Sequence, residues 1–185
     1  MVATPSTMLA LGTEAPAFTL PDASGTRHDL DDLAGAAGAT VVMFLSNHCP
    51  YVHHIGAVLG EVCADLQARG AAVIGIMSND VDAYPDDAPA LMPATAERFG
   101  WTFPYLYDET QDVARAYHAA CTPDLFVFDA RRRLAYRGQF DGSRPGNDVK
   151  GTGESLRTAV ESVLAGRPPE GEQLPSMGCN IKWRP

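Results

Sequence analysis

The chain has 185 residues, of which 45% are hydrophobic and 20% charged, and its formal net charge is −9. Such values are typical of one globular domain with its own hydrophobic core, so we expect a single domain over residues 1–185. They exclude a disordered chain and a coiled coil. The acidic balance argues against binding to nucleic acid or to an anionic membrane surface, since both need a basic face.

No apolar stretch approaches the length of about 20 residues that a transmembrane helix needs. Residues 1–12 lack the basic start and the sustained apolar core of a secretion signal, and we interpret them as an N-terminal arm. We therefore expect a cytoplasmic protein. In that compartment cysteines are more often buried, catalytic or metal-binding than paired in structural disulfides. The four cysteines are Cys49, Cys63, Cys121 and Cys179.

The predicted elements alternate between strands and helices. In chain order they are a hairpin with strands at 15–20 and 26–30, a strand at 40–46, a helix at 50–69, a strand at 72–78, a helix at 93–99, a strand at 103–107, a helix at 111–118, strands at 125–129 and 134–140, a helix at 155–164 and an irregular tail at 166–185. This order predicts an α/β fold with a parallel central layer, helices on both faces and antiparallel edge strands from the last hairpin.

The junction between the strand at 40–46 and the helix at 50–69 carries the most chemical information. An uninterrupted apolar run, Val41–Leu45, predicts a strand covered on both faces, and Pro50 suits the first turn of a helix. Cys49 then lies at the helix start, where unpaired N–H groups and the helix dipole favour thiolate over thiol. Cysteines so placed have pKa values lowered from about 8.5 to roughly 3.5–7.5. Cys49 is thus the candidate nucleophile, against the alternative of a small buried hydrophobe.

Several separated motifs resemble one superfamily. They are LGTEAPAFTLPDASG at 11–25, SNHCPYV at 46–52, TPDLFVFD at 122–129 and PSMGCNIKW at 175–183. In this order they resemble the thioredoxin superfamily, and more narrowly its peroxiredoxin-like redoxin branch, which includes alkyl hydroperoxide reductases and thiol-specific antioxidants.

This resemblance implies a thioredoxin-like fold with a mixed central sheet, an N-terminal β-hairpin extension and an irregular C-terminal tail. It also implies an antioxidant oxidoreductase that needs no cofactor. The substrate would be a peroxide or a disulfide, and the electrons would come from an external thiol reductant such as a thioredoxin-like protein. No nucleic acid or membrane partner is expected.

Around Cys49 the sequence departs from the patterns of both thioredoxins and peroxiredoxins. Thioredoxins have a second cysteine three residues after the first, where this chain has Val52. Peroxiredoxins have a proline where this chain has Val42, although Ser46 keeps the hydroxyl three residues before Cys49. They also place an arginine beside the thiolate, and Arg137 is the nearest later candidate.

The resemblance places Thr122-Pro123 next to Cys49 as a cis peptide bond. A cis bond before proline costs only about 0.5–1 kcal/mol, and the alternative is an ordinary trans proline at a strand start. The proline would leave a strand edge where an extended substrate can pair, with the Thr122 hydroxyl as a further contact.

A disulfide cycle needs a second thiol. Cys63 lies about 21 Å along the helix from Cys49, beyond the reach of a disulfide, whose Cα atoms are within about 7 Å. Cys121, two residues before Pro123, ranks slightly above Cys179, which lies on the tail. A cycle without any internal partner stays open as a third alternative.

His53, one helical turn after Cys49, is a candidate to stabilise the thiolate or to move a proton. The same spacing of four residues gives the alternative of a copper or zinc site formed by Cys49 and His53. The remaining alternatives are a thiol–disulfide reductase acting on protein disulfides and a binding protein without catalysis.

Overall fold

The computed structural model describes residues 3–185; Met1 and Val2, which belong to the predicted arm, lie outside the described residues. The strands in this range are β1 (Ala3–Pro5), β2 (Thr19–Pro21), β3 (Arg27–Asp29), β4 (Ala39–Leu45), β5 (Ala71–Met77), β6 (Tyr105–Tyr107), β7 (Cys121–Thr122), β8 (Asp124–Asp129), β9 (Leu134–Gly138) and β10 (Met177–Asn180). The helices are α1 (Leu30–Ala34), α2 (Pro50–Ala68), α3 (Met92–Phe99), α4 (Asp112–Ala116) and α5 (Glu154–Leu164).

The central sheet has five strands in the order β6-β5-β4-β8-β9. β4, β5 and β6 are parallel, whereas β8 is antiparallel to β4 and β9 is antiparallel to β8. The predicted α/β fold with a mixed sheet is confirmed. The last hairpin was expected at the edge, but only β9 lies there. β8 is internal because its apolar run is buried on both faces.

The two faces of the sheet carry separate halves of the core. Val41, Met43 and Leu45 of β4 pack with the apolar residues of α2 and α5. Val42 and Phe44 point the other way and pack with residues of α1 and α4. Successive side chains of a strand face opposite sides, so a strand covered twice has no polar position to spare. This explains the continuous apolar run.

Helix α2 places Cys49 at the carboxyl end of β4. Its N-cap is Cys49, with extended backbone angles, and Pro50 occupies the first helical position, where the missing N–H costs nothing. The helix ends at Ala68, and Gly70 follows with a φ of +94°. None of the helices described over residues 3–185 combines the length and apolarity needed to cross a bilayer.

A second, small sheet brings the two ends of the described chain together. Its order is β1-β10-β7, with Ala3 opposite Cys179 and Cys179 opposite Thr122. β1 and β10 lie in the segments predicted as an arm and as an irregular tail. Strands of two to four residues leave no periodic pattern in the sequence, so this pairing had no local signal.

We predict that Gly60→Ala destabilises the protein although alanine is the better helix former by about 1 kcal/mol. A Cβ at Gly60 would collide with the carbonyl oxygen of Phe99 and lie 3.1 Å from that of Gly100. Backbone atoms at the end of α3 move only at a cost, so the free energy of unfolding should fall by about 1–2 kcal/mol. Urea unfolding followed by circular dichroism measures it.

The control for this experiment is Glu61→Ala, an exposed position on the same helix. It should leave the unfolding free energy within about 0.5 kcal/mol of wild type. A Gly60→Ala protein as stable as this control would contradict the predicted collision.

Candidate active site

The thiol of Cys49 lies at the junction between β4 and α2, and it is fully buried. It donates a hydrogen bond to the carbonyl oxygen of Thr122 at 3.1 Å. The Thr122-Pro123 peptide bond is cis, which confirms the conformation that the resemblance implied. The cis-proline loop therefore packs directly on the candidate nucleophile.

A second thiol reaches Cys49 from β10. The side chain of Cys179 lies next to that of Cys49 and to the backbone N–H of Tyr51 in the first turn of α2, and both of these groups interact with its sulfur. Burial, and then the interaction with Cys49, raise the pKa of Cys179 to about 12. Cys179 is therefore a protonated donor beside Cys49 at neutral pH. The two thiols share the amino end of α2, where the dipole is positive.

The other two cysteines are placed differently. Cys121 neighbours Thr122 on β7, but its thiol donates to the Pro123 carbonyl at 3.5 Å. Burial, and then the Asp124 carboxyl, raise its pKa far above the ordinary range. Burial alone has the same effect on the pKa of Cys63 within α2. Cys49 and Cys179 also contribute to the raised pKa of Cys121, so the three thiols lie close together.

A buried carboxylate organises the turn before Cys49. Asp87 accepts hydrogen bonds from the Ser46 hydroxyl at 2.9 Å and from the Asn47 backbone N–H at 2.7 Å. The Asn79 amide donates to it at 2.6 Å, and the Nδ1 atom of His48 lies 2.8 Å away. Ser46 is therefore directed at Asp87, so the hydroxyl expected to assist Cys49 serves the loop instead.

Sequence reasoning did not find Asp87. It lies in a short stretch between Pro85 and Pro89 that also contains Asp86, within a loop rich in aspartates. Nothing in the sequence distinguishes it from its acidic neighbours, because its role depends on partners some 40 positions earlier in the chain.

Two polar atoms near Cys49 are buried without a hydrogen-bond partner among the described residues: the hydroxyls of Thr122 and Tyr105. Burial, followed by the nearby charges of Asp87 and Cys49, raises the pKa of Tyr105 well above its ordinary value. Tyr105 is thus a neutral hydroxyl in the electrostatic field of the thiol.

His53 does not face the thiol. Its Nε2 atom is hydrogen-bonded with the backbone carbonyl of Asn47, and its ring packs on Phe99 at 5.4 Å between centroids. The alternative metal pair of Cys49 and His53 is therefore not assembled. Over residues 3–185 there is also no cluster of three or more side chains that could hold a metal ion.

Arg137 is also remote from the nucleophile, contrary to expectation. It is opposite Phe126 in the pairing of β8 with β9, and Phe126 belongs to the half of the core on the other side of the sheet from Cys49. Its guanidinium donates to the Leu9 carbonyl at 2.7 Å and to Gln173 at 2.6 Å. The Arg137 side chain is thus bonded to the N-terminal segment and not to Cys49.

Comparisons with known proteins agree with this architecture. Residues 11–137 match the AhpC/TSA family. The thiol-disulfide oxidoreductase ResA of Geobacillus thermodenitrificans is 26% identical over 155 residues, covering 83% of this chain and 82% of that protein.

Two solved structures are similar over most of the chain. An uncharacterized conserved protein of Geobacillus kaustophilus is 48% identical, with a TM-score of 0.96 and coverage of 100% of this chain and 98% of that one. A thioredoxin-family thiol:disulfide interchange protein of Chlorobium tepidum shares the fold at 19% identity, with a TM-score of 0.62 and coverage of 84% and 98%. The thioredoxin-like fold is therefore confirmed.

The ion pair of His48 with Asp87 should make stability depend on pH. The hydrogen bond with Asp87 raises the pKa of His48 above its ordinary value of 6.5, although burial opposes it. A raised pKa in the folded protein means that the contribution is complete below about 6.5 and is lost as pH rises through the higher value. Burial raises the pKa of Asp87, but bonds from His48, Asn79 and Ser46 outweigh it and hold that pKa below 3.8. The contribution of the ionised Asp87 is lost only as pH falls below 3.8 and through this lowered pKa.

We predict that His48→Gln lowers the free energy of unfolding by about 1–2 kcal/mol at pH 5–6, and by less at pH 8–9. Denaturant unfolding of both proteins across this pH range gives the difference. The matched control is His54→Gln, since His54 is an exposed histidine on α2, the helix that follows His48. A loss for His48→Gln that does not vary with pH would mean that the ion pair contributes nothing beyond packing.

Proposed function

Because the chain belongs to the AhpC/TSA family of redoxins, within the thioredoxin superfamily, we propose that Cys49 is the nucleophile of an oxidoreductase and that Cys179 is its second thiol. The observation that carries this proposal is the placement of the two thiols: Cys179 is opposite Thr122, the Thr122 carbonyl accepts from Cys49, and the two cysteine side chains interact. Cys121 is also near Cys49, but its thiol donates to the Pro123 carbonyl, so we place it second. The missing second cysteine at position 52 is thus supplied by another part of the chain.

On this proposal the thiolate form of Cys49 has Cys179 as its donor and the amino end of α2 beside it. On ionisation Cys49 gives up the bond to the Thr122 carbonyl, and its sulfur accepts from the protonated Cys179. The dipole of the 19-residue helix α2 adds a favourable charge at the same end. A thiolate so placed is the reactive form for attack on an oxidant.

The proposed oxidant is a peroxide. The Cys49 thiolate attacks one peroxide oxygen, the O–O bond breaks, and the sulfur becomes a sulfenic acid. The second oxygen leaves as hydroxide or alkoxide and takes up a proton, giving water or an alcohol. The unpartnered hydroxyls of Thr122 and Tyr105 are the side chains available to donate to these oxygens.

Cys179 then completes the oxidation. Its sulfur attacks the sulfenic sulfur, the S–S bond forms, and the departing hydroxide takes the Cys179 proton to give water. Two electrons from an external dithiol, such as a thioredoxin-like protein, return both cysteines to thiols. On this proposal the protein is an antioxidant of the cytoplasm that contributes to redox homeostasis and needs no cofactor.

A second candidate function is the reduction of protein disulfides. The cis Thr122-Pro123 bond and the similarity to a thiol-disulfide oxidoreductase favour it. However, the edge of β7 that an extended substrate would use is already paired with β10. A protein substrate must displace that strand, whereas a peroxide is far smaller, so we place the peroxide first.

We predict that Cys49→Ser abolishes peroxide consumption in the presence of excess dithiol, because the nucleophile is lost. Cys179→Ser should still form a sulfenic acid at Cys49 but no internal disulfide. The readouts are peroxide loss, trapping of the sulfenic acid with a dimedone probe, and mass spectrometry of the oxidised chain.

Cys121→Ser serves as the control and should keep both the turnover and the disulfide. An internal disulfide that survives in Cys179→Ser and disappears in Cys121→Ser would refute the assignment of the second thiol. Reduction of insulin without any consumption of peroxide would instead favour the second candidate function.

A further inference from the structure

Strand β10 is one of the elements that bury Cys49. Cys49 has no exposed surface, and Cys179 on β10 is only 3% exposed. β10 is held on one side by the two residues of β7 and on the other by the three residues of β1. A reagent can therefore reach the Cys49 sulfur only when part of the packing around it, such as β10, moves.

Gly178 is the position that lets β10 approach so closely. A Cβ there would collide with the carbonyl oxygen of Thr122 and lie 2.6 Å from its carbonyl carbon and 3.2 Å from the nitrogen of Pro123. These are backbone atoms of the loop that contacts Cys49. The φ angle of Gly178 is not in the left-handed region, so space is the only requirement that selects glycine here.

The described residues show no open passage to the Cys49 sulfur. A hollow of about 20 Å³ beside β10 is bordered by Tyr51, Pro123, Ser176 and Met177, but neither Cys49 nor Cys179 lines it. Part of the packing must therefore move before a reagent reaches Cys49, and a larger reagent requires a larger movement.

We propose that Gly178 is a specificity-determining residue, because it allows β10 to close over Cys49 and so limits the size of the reagents that reach this thiol. The part of this inference that concerns oxidants depends on the proposed function. The part that concerns access depends only on the packing of β10.

The first test measures alkylation of each cysteine in the folded protein with iodoacetamide, followed by peptide mapping. Cys63 is the internal control, since it is equally buried but lies inside α2 and reacts only on global unfolding. In Gly178→Ala we expect Cys49 to react roughly tenfold faster or more, with the rate of Cys63 unchanged.

The matched control variant is Gly142→Ala, because a Cβ at that position meets only one atom, at 3.9 Å. It should alkylate like wild type. Equal Cys49 rates in Gly178→Ala and Gly142→Ala would overturn the inference. A parallel rise at Cys49 and Cys63 would also overturn it, since access would then come from global unfolding.

The second test compares rate constants for hydrogen peroxide and cumene hydroperoxide. Wild type should favour hydrogen peroxide, and Gly178→Ala should reduce this preference roughly tenfold. An unchanged preference overturns the inference. Failure of the proposed function would show separately, because neither wild type nor Gly178→Ala would consume peroxide. The alkylation test would then decide the inference alone.

If Gly178→Ala does not fold, the wild-type protein still provides the test. Alkylation of Cys49 should slow steeply from iodoacetamide to a bulky maleimide, each rate being divided by that of the chain unfolded in urea. Equal protection against both reagents would overturn the inference.

Discussion

The pairing of β10 with β7 is the contact on which the candidate active site depends. It sets Cys179 opposite Thr122, and so brings a thiol from near the end of the described chain onto Cys49. Because side chains alternate along a strand, a slip of one residue would turn Cys179 to the other face and leave Cys49 alone. The bare backbone of Gly178 makes the close approach to the cis-proline loop sterically allowed.

The turn that precedes Cys49 is held by a buried charged side chain, Asp87. Asp87 accepts hydrogen bonds from Ser46 and Asn47, which lie in the turn into α2, and it also forms an ion pair with His48. A buried carboxylate without such partners would be strongly destabilising, so the turn and the acidic loop fix each other. Cys49 therefore lies between the turn that is bonded to Asp87 and the paired strands β7 and β10.

This arrangement combines a reactive thiol with almost complete burial. Cys49 lies at the amino end of α2 beside Cys179, while the packing around it, including β10, limits its contact with solvent. Sulfenic acids that stay exposed are oxidised further and irreversibly, and a second thiol at contact distance competes with that loss. The same closure opposes the pairing of an extended protein substrate with β7, which is why the two candidate functions make different demands on one strand.

The sequence by itself determined the local features: the buried strand at Val41–Leu45, the start of α2 at Pro50 and the place of Cys49 between them. These follow from side-chain periodicity and helix-start chemistry, which act between residues close in the chain. Motif resemblance added the cis bond at Thr122-Pro123.

Only the tertiary structure decided that Cys179 lies beside Cys49, that Asp87 organises the turn, and that Arg137 points to the other side of the sheet. Each of these depends on the register of strands far apart in the chain. Pairings of two to four residues carry no periodic signal, and the face on which a side chain lies changes with every single-residue shift.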